Sequence, residues 1–101
     1  MINNPKATFQ IKSAFQLTGK QFFVLGDILS GAIREGMEAD LTSIGIDKRP
    51  IIETIEVALC REGDKVWEDV ALGFSNFTKT EKDFLKSQSP ISKSISIVEK
   101  T

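Results

Sequence analysis

The sequence predicts an all-β fold, a small antiparallel β-barrel, and three observations predict it. Apolar and polar residues alternate at period two through several short runs, as in strands with one face inward. Turn signals containing glycine separate these runs at short intervals. The chain has 101 residues, one domain's length, and can bury about two thirds of its unfolded surface around a single core. Many short strands joined by regular turns make a barrel. Residues 1–101 therefore read as one barrel domain, with 1–6 and 99–101 frayed at its ends.

Phe9, Ile11, Phe15 and Leu17 share one parity while Gln10, Lys12 and Gln16 share the other, which predicts a first strand with a buried face. Phe22 to Ile28 is more continuously apolar and reads as a central strand. Gly26 inside it predicts a bulge or sharp bend of the kind found at barrel corners. Ser30-Gly31 and Glu35-Gly36 are turn signals on either side of a short strand pair. Ile51, Ile55, Val57 and Leu59 form a further inward parity, and Val66, Val70, Leu72 and Phe74 another. Thr78 followed three residues later by Glu81 has capping-box form, because the hydroxyl accepts from the third backbone N–H while the carboxylate returns to the cap N–H. That predicts one short helical turn near 79–86, docked by Phe84 and Leu85. Ile91, Ile95 and Ile97 alternate with serines, Lys93 breaks the inward parity, and the pattern predicts a terminal strand closing the sheet at one edge.

Gly19 to Met37 reads GKQFFVLGDILSGAIREGM. The placement of Gly19, Gly26, Gly31 and Gly36 resembles the glycine-rich turns G-R-G-x-V-V-x-G-R-V-x-x-G-x-I-x-x-G-D of the second-domain β-barrel of elongation factor Tu and other translational GTPases. Gln21, Asp27 and Met37 stand where that pattern has a glycine, a basic residue and an acid. Downstream, Ile52 to Glu56 (IETIE), Trp67 to Phe74 (WEDVALGF) and Lys79 to Lys86 (KTEKDFLK) are similar to the family's I-x-x-I-E, A-G-D-x-V-G-L and K-x-x-D-I-x-R-G segments. The resemblance implies a stand-alone copy of this barrel. In the family it is an accessory module that contacts the GTP-binding domain and the acceptor end of transfer RNA.

Composition excludes much chemistry. The chain has no histidine, so the residue most used for proton transfer near neutrality and for zinc ligation is missing. A phosphate loop needs G-x-x-x-x-G-K-[ST], but around Gly19-Lys20 the first glycine position is Ala14 and the final hydroxyl position is Gln21. The chain is accordingly expected not to bind GTP alone, to carry no cofactor or metal, and to have no catalytic residue. Cys60 is the sole candidate nucleophile; its neighbour Arg61 points to the opposite strand face, so the thiol reads as a small buried filler. Glu53 and Glu56 have opposite parity and Glu68 and Asp69 are adjacent, so neither pair projects together as an acid/base couple, and all four read as solvated. Asn76-Phe77-Thr78 spells a glycosylation acceptor but reads as a polar turn before the helix.

Thirteen basic residues stand against fourteen acidic ones, a formal net charge of -1, which provides no strong field for polyanions. No secretory signal or apolar span long enough for a bilayer is present, and one cysteine makes no internal disulfide, so a cytoplasmic location away from membranes is expected. Lys20, Arg34, Lys48 and Arg49 are the basic candidates for phosphates or a partner's carboxylates. Trp67, the single tryptophan, falls off the parity of Val70, Leu72 and Phe74 and is expected to point outward as an interface anchor. The expected function is a non-enzymatic macromolecular interaction module, docking on a protein partner or on itself. The alternative is an RNA- or translation-associated module, as the resemblance implies.

Overall fold

The computed structural model describes residues 6–16, 21–88 and 93–99. Six strands form one antiparallel sheet: β1 (Ala7–Gln16), β2 (Phe22–Gly31), β3 (Glu38–Asp40), β4 (Thr54–Glu62), β5 (Lys65–Phe74) and β6 (Lys93–Val98), in the order β3-β6-β1-β2-β5-β4. A single α-helix, α1 (Lys79–Ser87), and a 3-10 turn at Thr42–Ile44 complete the described elements. The antiparallel all-β class expected from alternation is present, with its one helix. The sheet is not closed: its ladders leave it open between β3 and β4. Backbone hydrogen bonds nevertheless reach across the gap. Ile52 donates to Met37, and Gly36, Ala39 and Leu41 donate to Ile52, Pro50 and Lys48, while Glu53 donates to Gly73 on β5.

One core fills the concave side. Phe9, Ile11, Phe22, Val24, Leu72, Phe74, Ile95 and Ile97 are all at most 2% exposed, and Met37, Leu41, Ile52, Phe77 and Leu85 join them from the connections and the helix. The sheet wraps because β1 and β2 approach closely at Gly26. A Cβ there would lie 1.7 Å from the Gln10 carbonyl oxygen and 3.1 Å from the Phe9 ring, so only glycine permits the contact.

Two bulges correct the expected parities. The β1–β2 register shifts between Ile11 and Ser13, leaving Lys12 as the extra residue, and a one-residue shift sends later side chains to the opposite face. Phe15 therefore leaves the core and stacks on Phe23 across the convex side, ring centroids 5.6 Å apart. A second shift between Thr8 and Phe9 leaves Leu29 unpaired, and it is exposed. Ser30-Gly31 belongs to the end of β2 rather than to a turn beside a short strand pair, since 32–34 form no strand. The terminal strand is not an edge: β6 lies between β3 and β1. Ile91 and Leu17 lie outside the described residues.

The helix follows its sequence signal closely. The Thr78 hydroxyl accepts from the Glu81 N–H at 3.2 Å and the Glu81 carboxylate accepts from the Thr78 N–H at 2.9 Å, the reciprocal capping box. Leu85 is fully buried, whereas Phe84 is half-exposed, so one of the two expected docking residues does the docking.

Candidate functional site

The β4–β5 hairpin is built differently from the rest of the sheet. Its turn is Gly63-Asp64, and Gly63 has φ 59°, the positive value that the first central position of a type II′ turn requires. The two strands pair in unbroken register from Thr54–Gly73 to Glu62–Lys65. β5 pairs with β2 only over Val70–Phe74. Beyond Gly26 the hairpin therefore projects as a two-stranded arm, consistent with principal extents of 47 × 29 × 23 Å.

The alternation assigned Val57, Leu59 and Val66 to the core, and the arm carries them past it. They are 67%, 68% and 51% exposed. They share a face with Val70 and Ile55, because directly paired residues, Val57–Val70 and Ile55–Leu72 among them, project to the same side. This face continues the concave surface of the sheet but has no far wall. In the sequence, the signal for the hairpin is the pair Gly63-Asp64, a two-residue loop between two alternating runs. Alternation reports a face, whereas burial requires something opposite that face.

The other side of the arm joins the convex face of the sheet. Phe23, Leu25 and Ala71 form a small cluster there, with Phe15, Ala58 and Cys60 packed against it. Trp67 pairs with Cys60 and is 37% exposed, so it lies on the side opposite Val70 and Leu72. At the β1 bulge, the Lys12 Nζ sits 3.0 Å from Asp27 and 3.0 Å from Asp69. Asp69 is buried, in contrast to the solvated position expected for it. The bulge aims Lys12 across β2 at this carboxylate, and long-range strand order of this kind has no local sequence signal.

Electrostatics in this cluster oppose covalent chemistry. Hydrogen bonds that its ammonium donates to Asp27 and then to Asp69 raise the Lys12 pKa above its ordinary value, which holds the ammonium protonated. Burial first, and the Asp69 carboxylate next, push the Cys60 thiol up; its Sγ lies 3.5 Å from Asp69 Oδ2. A nucleophilic amine or thiol needs the reverse shift. Among the described residues, no group of three His, Cys, Asp or Glu is arranged to hold a metal ion.

The basic candidates are dispersed and occupied. Arg34 Nη2 bonds both oxygens of Glu99 at 2.6 and 3.0 Å. Arg49 lies 3.6 Å from Asp40, whose carboxyl is held below its usual range chiefly by the Thr42 hydroxyl and backbone N–H. Lys48 Nζ bonds Glu81 at 2.9 Å, donates to the Asn76 carbonyl and lies 5.7 Å from the Phe77 ring centroid. It ties the loop to the helix start and to the buried Phe77, which packs edge-on against Phe22 and Phe74. Lys20 lies outside the described residues. The structure thus separates Trp67 from Arg34, Lys48 and Arg49 rather than gathering them. No helix among the described residues is long and apolar enough to cross a membrane.

Comparison with protein-family models, with curated proteins and with solved structures finds no significant match for this chain. The functional reading therefore rests on the residues themselves.

Proposed function

We propose that this chain is a non-enzymatic interaction module that docks on protein through its β4–β5 arm. One observation carries the reading: the arm leaves Val57, Leu59 and Val66 more than half exposed on one face and Trp67 37% exposed on the other. Clustered exposed apolar side chains cost hydration free energy, about 25 cal/mol per Å² of apolar surface left in water. An interface recovers it. The protonated Lys12 and the raised Cys60 thiol support a binding role over catalysis.

The barrel architecture of the translation-factor second-domain type belongs to the same proposal. It is supported by the glycine spacing from Gly19 to Gly36 and by the backbone bonds that link 36–41 to 48–52 and Glu53 to β5. RNA binding is the weaker reading, because Arg34, Lys48 and Arg49 each face a carboxylate. A cytoplasmic setting remains part of the proposal.

The test is affinity capture from native cells, with and without nuclease, using the wild-type chain and Leu59→Lys. Protein recovery that resists nuclease and disappears with Leu59→Lys is expected. Recovery that collapses with nuclease, and weakens steeply with salt, would replace docking by nucleic-acid binding.

A further inference from the structure

Among the described residues, β4 has a long strand edge with no ladder on it. The outer side of β3 is occupied by 48–52, whereas every strand pair of Thr54–Glu62 runs to β5. In a two-residue hairpin the closing pair, here Glu62–Lys65, exchanges hydrogen bonds. Antiparallel alternation then turns the N–H and C=O of Ile55, Val57, Leu59 and Arg61 to the open side. Proline and bulge, two of the usual edge protections, are missing from this strand, and its charges, Glu56, Arg61 and Glu62, leave Val57 to Cys60 uncharged. An edge of this form accepts an extended strand.

Resting on the docking reading, and naming its partner, we infer that the occupant is a second copy of this chain, joined antiparallel through β4 about a two-fold axis at Ala58. Registers that keep facing residues on a common face place the axis on a single residue. An axis at Val57 would set residues 61–63 of the second copy opposite 53–51, where Gly36 and Met37 already bond to Ile52. That lane is blocked. An axis at Leu59 would set Glu56 directly against Glu62 of the second copy, twice, and like charges in facing positions are repelled. The Ala58 axis avoids both. It places Val57 against Leu59 of the second copy and the reverse, Ala58 against itself, Glu56 against Cys60, and Thr54, whose hydroxyl donates to Gln21, against Glu62. Six exposed apolar side chains, from Val57, Leu59 and Val66 of the two copies, then line one face of a continuous four-stranded unit together with the partly buried Val70 of each.

The test joins sedimentation of the full chain, from micromolar to near-millimolar concentration, with oxidative cross-linking. A concentration-dependent doubling of mass is expected. Leu59→Pro removes an outward N–H without touching the β4–β5 ladder and should stay monomeric with an unchanged far-ultraviolet circular dichroism spectrum. Ala58→Cys combined with Cys60→Ser should form an interchain disulfide at the axis, where a non-hydrogen-bonded pair brings facing Cα atoms to about 4.5 Å. The wild-type thiol, which faces Glu56, should not. This cross-link tests the register even where Leu59→Pro fails to fold. A chain monomeric at every concentration, or one cross-linked through Cys60 instead, would overturn the proposal. A monomer whose partner capture is still lost in Leu59→Lys overturns the second copy alone; capture indifferent to Leu59→Lys overturns the docking reading.

Discussion

The body of the sheet and the β4–β5 arm use the same residue types in the same period-two pattern, yet their environments are opposite. In the body of the sheet the inward residues meet a wall: Phe9, Ile11 and Ile95 on one face pack in a single core with Leu85 and with Met37, Leu41 and Ile52 from the connections. In the arm, Val57, Leu59 and Val66 lie on the same continued face but extend past the last element that crosses it. The difference lies in what the chain places opposite each face, and it separates residues that hold the fold from residues free to bind.

Substitutions can break or sharpen this contrast, beginning with the body. Phe9→Ala empties a fully buried ring site beside Gly26 and should cost about 3–5 kcal/mol, read as a lower midpoint in urea unfolding. Next comes the Lys12 cluster. Lys12→Met leaves the buried Asp69 carboxylate without its cation, and the expected loss is about 1–3 kcal/mol. Asp69→Asn made together with Lys12→Met should recover part of that loss in a double-mutant cycle. Thr78→Ala removes the helix cap for about 1 kcal/mol. At the small end, Val57→Thr on the arm should change unfolding free energy by less than about 0.5 kcal/mol while weakening partner capture. A large stability loss there would place Val57 in the core after all.

A pH titration separates the body's tie from the arm in another way. The Lys48 ammonium, and then the Thr78 N–H, hold the Glu81 carboxyl below its ordinary value. A carboxyl depressed in the folded state contributes stability that is present above its unfolded pKa and lost as pH falls through the folded one. Acid should therefore weaken the helix start below the ordinary glutamate range, about pH 4.3. In Lys48→Met the Glu81 midpoint, followed by NMR, should rise, and less stability should remain to be lost in acid.

Local physics made several features legible in the sequence. The capping box lies within four residues, and Thr78 to Glu81 folds as its spacing dictates. Strand existence is also local, because alternation records one wet face and one dry face. The special place of Gly26 is local too, although the bulge expected at it falls on the facing strand, at Lys12, and Gly26 serves the close approach of the two backbones. Burial, register and closure are not local. Lys12 as an extra residue reverses the faces of everything after it in β1, so Phe15 leaves the core; no residue near Lys12 announces that shift. Asp69 is buried because a bulge on another strand brings an ammonium to it. The arm's apolar face stays open because no described element crosses it. The sequence by itself determined an antiparallel β domain with one capped helix. The tertiary structure decided which apolar face is core and which is surface, because burial depends on what distant segments place opposite a side chain, and alternation carries no information about that.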